Sequence, residues 1–98
     1  MANPHQKALI DRIVEGPGQS SPEQRRAAFA NEGVAEPARG LIDKVAKHAY
    51  KVTDEDVAAV KQSTSEDQIF ELAVCAAVGQ ASRQLESALA ALEAATKE

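Results

Sequence analysis

The sequence predicts an all-helical fold with five helices. Signatures of helix N-termini recur along the 98 residues, each with a capping side chain followed by proline or by acidic residues. No run of alternating apolar and polar residues, the pattern typical of a strand, occurs anywhere. The last third is rich in alanine and contains no helix breaker other than Gly79. These three observations predict α-helices throughout and no β-sheet.

The first two predicted helices are short and have clear ends. The first begins at Asn3, which precedes a proline, and it ends at the Gly-Pro-Gly of residues 16–18. The second begins at Ser21, which is followed by proline and, three residues later, by glutamine, as in a capping box. Gly33 is predicted to close this helix in a left-handed cap.

Three further helix starts follow. Pro37 marks the start of the third helix, because a residue before proline avoids helical geometry. Thr53 with three acidic residues begins a short fourth helix, and Ser65 with two acidic residues and a glutamine begins the fifth. The fifth helix is predicted to span residues 66–95, a length of about 45 Å. A kink at Gly79, giving two shorter helices in a monomer, is the alternative.

The predicted fifth helix is longer than a compact domain of 98 residues, which is about 30–35 Å across. Around residues 69–81 it is apolar on nearly all sides, which predicts burial on several sides, and small residues such as Gly79 permit close helix crossings. A heptad-like apolar seam also runs along it, formed by Val74, Val78, Ala81, Leu85, Ala88 and Leu92. One end is therefore expected to project or to contact another chain, and we predict a homo-oligomer.

Composition and charge limit the classes of function. The net charge is −4, and no run of Lys or Arg offers a surface for nucleic acid or for an anionic membrane. The sequence contains no apolar stretch long enough to span a membrane and no signal-peptide core at its N-terminus. We expect a cytoplasmic protein without a cofactor, a bound metal, or a nucleic-acid or membrane partner. A helix-turn-helix DNA binder, suggested by the short turns between the last three helices, is disfavoured by the acidic balance.

The segment from His48 to Val57, the serine-acid-acid start at Ser65 and the alanine-rich helix after it resemble the carboxymuconolactone decarboxylase and alkylhydroperoxidase-D-like family. The resemblance covers residues 41–92. It implies an alkylhydroperoxidase-D-like orthogonal bundle of five helices with a long C-terminal helix, assembled into dimers, trimers or hexamers. Within a single helical domain, residues 1–35 would form an N-terminal arm and residues 36–98 the family-like core.

The catalytic motif of the family's peroxidases is missing. Those enzymes carry a glutamate upstream of a Cys-x-x-Cys-x-x-x-His motif. In this chain Glu36 stands at the glutamate position, but His48, Lys51 and Glu55 stand in place of the two cysteines and the histidine. The one cysteine, Cys75, lies far away in the last helix. Because the family mechanism needs a low-pKa thiolate and a resolving thiol, we do not expect thiol peroxidase or disulfide reductase activity.

Two interpretations remain for the residues at the motif positions. In the first, His48 acts with Glu36 or Glu55 as an acid–base pair in a pocket between subunits, with Tyr50 and Lys51 as ligand-binding residues. The chain would then be a decarboxylase or isomerase for a small carboxylate or lactone. In the second, His48 and Lys51 lie in a last helical turn and Glu55 in a first turn, where the helix dipole favours their charges, while Glu36 caps the third helix.

Simple structural interpretations also exist for other side chains. Cys75 is expected to be a small buried apolar residue rather than a redox centre. Arg25 and Arg26 are expected to lie on a solvated helix face, with pairing to an anionic ligand as the alternative. Tyr50 is expected to be half-buried, with its hydroxyl on a polar partner or in a pocket. Taken together, the sequence favours a homo-oligomeric protein that is a small-ligand-binding or structural subunit, with the acid–base enzyme as the alternative.

Overall fold

The structure, a computed structural model, describes residues 4–96. It contains no strand within those residues, so the prediction of an all-helical chain is confirmed. Asn3, the predicted start of the first helix, lies outside the described residues. A 3-10 turn, Ala49–Lys51, joins the third helix to the fourth. The α-helices are α1 (Pro4–Glu15), α2 (Pro22–Ala30), α3 (Arg39–His48), α4 (Asp54–Lys61) and α5 (Glu66–Thr96).

Reciprocal capping bonds determine where three of the helices begin. The backbone N–H of Gln24 donates to the hydroxyl of Ser21 (3.1 Å), and the N–H of Ser21 donates to the Gln24 side chain (2.9 Å). Thr53 and Asp56 form the same pair at 3.2 and 2.9 Å. Ser65 forms it with the glutamine three residues later, at 3.2 Å in both directions. The predicted starts of α2, α4 and α5 are therefore confirmed.

Two helix boundaries differ from the sequence prediction. Asn31 caps α2 in the left-handed conformation (φ 53°, ψ 46°). Gly33 also has a positive φ of 73°, but it lies beyond the cap. The prediction that Gly33 closes α2 is wrong, because asparagine tolerates the left-handed region and comes first in the chain. The third helix begins at Arg39 rather than at Pro37, since residues 36–38 form a turn.

The core of the molecule surrounds the first half of α5. α2 makes the most extensive contact with α5, α3 packs beside it, and α1 and α4 close the two sides. Ile42 and Cys75 are the largest side chains that are fully buried. The core cluster consists of Val14 from α1, Ala28 from α2, Val34 and Ala38 from the following turn, Leu41 and Ile42 from α3, Val60 from α4, and Ile69, Leu72, Cys75 and Ala76 from α5.

α5 is one continuous helix of 31 residues, so the prediction of a single long helix, rather than two shorter ones, is confirmed. Its buried residues all lie between Ile69 and Gly79, and residues 84–96 are exposed. The molecule is 55 Å long with a radius of gyration of 14.9 Å, against about 12.5 Å for a compact chain of this length. The second half of α5 therefore projects from the helical body. Between Pro4 and Thr96, no helix is both long enough and apolar enough to cross a membrane.

Candidate functional site

The structure does not bring Glu36 and His48 together. The Glu36 side chain is 69% exposed in the turn before α3, with its carboxylate 3.7 Å from the guanidinium of Arg39. His48 is the last residue of α3, so about 14 Å of helix separates Arg39 from His48. Ala38 occupies the N-cap position of α3, and no side chain caps the helix there. Glu36 therefore does not cap α3.

His48, Tyr50 and Lys51 form an exposed cluster where α3 ends. The rings of His48 and Tyr50 meet edge to face, with their centroids 6.1 Å apart. The ammonium of Lys51 lies 5.8 Å from the centre of the Tyr50 ring, within the range of a cation–π contact. Tyr50 is 80% exposed, so the expectation of a half-buried ring is wrong. Within residues 4–96, no hydrogen bond orients the His48 imidazole.

The residues at the family's motif positions lie at helix ends. His48 is in the last turn of α3, and Lys51 ends the 3-10 turn beyond it. Glu55 is in the first turn of α4, where the helix dipole favours a negative charge. Glu55 is exposed, whereas the next residue, Asp56, contacts a side chain of α3. Asp56 accepts a hydrogen bond of 2.8 Å from Lys44, which lowers the pKa of the Asp56 carboxyl and ties α4 to α3.

Cys75 is fully buried in the core of α5. Its Sγ lies 3.9 Å from the carbonyl oxygen of Ile13 in α1. Burial raises the pKa of the Cys75 thiol, because the thiolate would lose its hydration. A thiol with a raised pKa carries little of the reactive thiolate at neutral pH. The prediction that Cys75 is a small buried residue is confirmed.

A buried arginine anchors the segment between α1 and α2. The guanidinium of Arg25 donates to the carbonyl oxygens of Ile13 (3.1 Å) and Ser20 (3.2 Å), and Arg25 is only 4% exposed. The expectation that Arg25 lies on a solvated face is therefore wrong. Arg26 does lie on such a face and pairs with Glu15 at 2.6 Å. The sequence contains no signal for the role of Arg25, since its acceptors are backbone carbonyls.

Glu71 of α5 holds the same segment from the other side. Its carboxylate accepts hydrogen bonds from the backbone N–H groups of Gln19 and Ser20 (both 2.8 Å) and from the Ser20 hydroxyl (2.5 Å). The Ser20 hydroxyl is the main group that lowers the pKa of the Glu71 carboxyl. A Cβ at Gly18 would lie 2.9 Å from both carboxylate oxygens. The glycine at position 18 was thus the one sequence signal for this close approach.

An apolar face, which we call the α5 stripe, runs along α5, half-buried at Val74 and Val78 and exposed from Ala81 onwards. Successive residues of a helix are rotated by about 100°, so the stripe lies about 160° around the helix axis from the buried residues of α5. Leu85 is 43% exposed and Leu92 is 61% exposed. Residues 69–81 are buried or half-buried on most sides, as expected, but one side stays open in a single chain, where Phe70 is 70% exposed. The α5 stripe consists of Val74, Val78, Ala81, Leu85, Ala88 and Leu92.

A groove between α1 and α5 opens beside the stripe. α1 runs antiparallel to α5, since Ile13 lies near Cys75 whereas the N-terminal part of α1 lies near the middle of α5. The groove has a volume of about 250 Å³, and Leu9 on its edge is 57% exposed. We call it the α1/α5 groove. Its lining consists of Gln6, Leu9, Ile10, Val78, Ala81, Ser82, Leu85, Glu86 and Leu89.

The charges around this surface differ between the two helices. His5 and Arg12 lie one turn before and one turn after Leu9, so they line the same exposed edge of α1. After Arg83, the described part of α5 carries only acidic charges, those of Glu86 and Glu93. Arg12 therefore makes this edge of α1 basic, and the projecting half of α5 is acidic.

Comparisons with known proteins assign no family. No family model matches the sequence, and searches of the curated proteins and of the solved structures found no match. Among residues 4–96, no three His, Cys, Asp or Glu side chains lie close enough together to hold a metal ion. The α5 stripe and the α1/α5 groove are the most extensive exposed apolar surfaces described above.

Proposed function

We propose that this chain is a structural subunit of a homo-oligomer and that the α5 stripe forms its contact between subunits. The observation that carries the proposal is the row of exposed apolar side chains on the projecting half of α5. Leu85 and Leu92 lie on this row, and Leu89 beside it is 44% exposed. A contiguous apolar surface of this kind marks a protein–protein interface, because water solvates it poorly.

The total exposed surface supports the same proposal. The chain exposes 6741 Å², whereas a compact monomer of this mass exposes about 5,400 Å². The excess of about 1,300 Å² is larger than the roughly 800 Å² that each partner contributes to a standard protein interface. Covering the projecting half of α5 would reduce this excess.

We also propose that the chain has a place in the carboxymuconolactone decarboxylase and alkylhydroperoxidase-D-like family, as a divergent member. The resemblance of residues 41–92 and the long continuous α5 support that place. The burial of Cys75 supports the part of the proposal in which thiol peroxidase chemistry is lost. The separation of Glu36 from His48 along α3 favours a structural subunit over the acid–base enzyme.

A matched pair of substitutions tests the proposed contact. Ala88 and Ala90 are both exposed on the projecting half of α5, but Ala88 lies on the stripe and Ala90 on the opposite side. Ala88→Glu places a charge in the proposed interface and is expected to shift the protein towards monomers. Ala90→Glu adds the same charge outside the interface and is expected to leave the assembly unchanged. The molar mass of each variant is measured by light scattering after size exclusion.

Leu92→Glu adds a stronger test at the most exposed leucine of the stripe. We expect it to dissociate the assembly while circular dichroism retains its helical signal, since position 92 lies outside the helical body. Equal effects of Ala88→Glu and Ala90→Glu, or an assembly that survives Leu92→Glu, would overturn the proposed interface.

A further inference from the structure

We infer that two copies pair through antiparallel α5 helices, with the projecting half of each α5 lying along the α1/α5 groove of the other. The inference rests on the proposed self-association and specifies its geometry. Each α5 would then be covered by the partner's α5 on one side and by the partner's α1 on another. The resulting contact is a four-helix arrangement built from α1 and α5 of both copies.

The spacing of the apolar residues fits a two-fold axis near Leu85. An antiparallel pair centred there brings Leu92 of one copy opposite Val78 of the other, since each lies seven positions from the centre. Val78 lines the α1/α5 groove, so the projecting leucine enters it. The small side chains of Ala81 and Ala88 alternate with the larger ones and let the two helix axes approach closely. A self-complementary surface of this kind is what a two-fold interface requires.

The exposed surface on both helices also fits this arrangement. The groove is open along Leu9 of α1, which is 57% exposed, and along Leu89 of α5, which is 44% exposed. A second copy that used the stripe alone would leave both of these leucines in water. An antiparallel copy lays its own α5 along the groove and covers them. This geometry therefore uses more of the excess surface of about 1,300 Å² than a contact through α5 alone.

The charges of the two helices favour the antiparallel over the parallel orientation. With the axis near Leu85, Glu93 of one copy lies at the level of Arg12 of the other, because α1 runs antiparallel to α5 with Ile13 beside Cys75. A parallel pair would instead place the acidic ends of two α5 helices side by side. In a parallel pair the two helix dipoles would also point the same way, which is unfavourable, whereas in an antiparallel pair they point in opposite directions. Opposite charges at the rim set the orientation of an interface even where they add little affinity.

Cross-linking of single-cysteine substitutions tests the orientation. Arg12→Cys and Glu93→Cys are both at exposed positions, and the buried Cys75 is retained as it stands. The two variants are mixed, allowed to exchange subunits and treated with a short bismaleimide. We expect an efficient cross-link between the two different chains. Glu93→Cys alone is expected to give little product, since the two position-93 side chains would lie about 24 Å apart along the helices.

Two controls make the result specific. Wild type, with only Cys75, reports any background from the buried thiol. Ala90→Cys replaces Glu93→Cys in the mixture and places the thiol on the side of α5 that faces away from the stripe, so it is expected to cross-link poorly with Arg12→Cys.

The possible outcomes separate the orientation from the self-association. If light scattering shows an oligomer and Glu93→Cys cross-links to itself more than to Arg12→Cys, the antiparallel geometry is wrong and the proposed function stands. If an oligomer forms but neither combination cross-links, subunits meet elsewhere and the antiparallel inference is wrong. If the wild type is a monomer, the proposed function fails and the inference fails with it.

Discussion

The carbonyl oxygen of Phe29 in α2 occupies the space where a side chain on Gly79 of α5 would begin. The same oxygen accepts a hydrogen bond of 2.6 Å from the guanidinium of Arg83, one turn further along α5. The absence of a Cβ at position 79 therefore allows α2 and α5 to cross at backbone contact. Glycine is otherwise unfavourable inside a helix, so this close crossing accounts for its presence in the middle of α5.

Replacing Gly79 by alanine is therefore expected to destabilise the protein. The new Cβ would collide with the Phe29 backbone, and we expect the free energy of unfolding to fall by about 1–3 kcal/mol. Gly40→Ala is the matched control, because Gly40 lies in α3 with open space around it. There the better helix propensity of alanine should raise stability by up to about 1 kcal/mol. Urea unfolding of both variants measures the difference, and a Gly79→Ala variant as stable as wild type would contradict the crossing.

Arg25 and Arg26 are adjacent in sequence but are expected to differ strongly in their effect on stability. Arg25→Met leaves the carbonyl oxygens of Ile13 and Ser20 without their donor, and we expect a loss of about 2–3 kcal/mol. Arg26→Met removes only an exposed ion pair with Glu15, and the loss should be below about 1 kcal/mol. Thermal or urea unfolding compares the two. Similar losses for both would show that Arg25 is not the anchor.

The bonds of Glu71 predict an acid-dependent part of the stability. The folded state lowers the pKa of the Glu71 carboxyl from its ordinary value of 4.5, because the Ser20 hydroxyl and two backbone N–H groups donate to the charged form. The stabilisation is therefore complete above the ordinary pKa and is lost as the pH falls through the lowered one. Glu71→Gln removes this contribution and is expected to be less stable than wild type at neutral pH.

The measurement for Glu71 is the difference in unfolding free energy between wild type and Glu71→Gln across the acidic range. We expect the difference to shrink as the pH falls below about 4.5. Subtracting the variant removes the contributions of Asp43 and Asp56, whose pKa values are also lowered. A difference that stays constant with pH would refute the role of the charged carboxylate.

Cys75 is expected to react with a thiol reagent only when the protein unfolds. Its side chain is fully buried and burial raises its pKa, so both access and thiolate are lacking in the folded state. The rate of modification by a disulfide reagent should therefore increase sharply on addition of urea. Rapid modification of the native protein, or peroxide consumption that Cys75→Ala abolishes, would contradict the burial.

The parts of the fold that depend on local interactions were predictable from the sequence. Ser21, Thr53 and Ser65 cap their helices by bonding to residues three positions later. Such a contact can be predicted from four consecutive residues of the sequence. The unbroken length of α5 was predictable because only one weak breaker interrupts it. The choice between Asn31 and Gly33 as the cap of α2 was not, because both residues tolerate a positive φ.

Contacts between distant segments were not predictable. Arg25 is buried because carbonyl oxygens at the end of α1 and in the next loop converge on it, and backbone acceptors have no sequence signature. Glu71 meets Ser20 across 51 positions of the chain. The heptad-like seam predicted an apolar face on α5, yet only the packing of α2 and α3 on the other side determines that this face stays uncovered.

The solution mass of the wild-type protein tests the central claim most directly. Sedimentation equilibrium at micromolar concentrations is predicted to give at least twice the chain mass of 10.4 kDa, with Leu92→Glu closer to the single-chain value. A wild-type mass of one chain throughout that range would contradict the account of the α5 stripe as an interface between subunits.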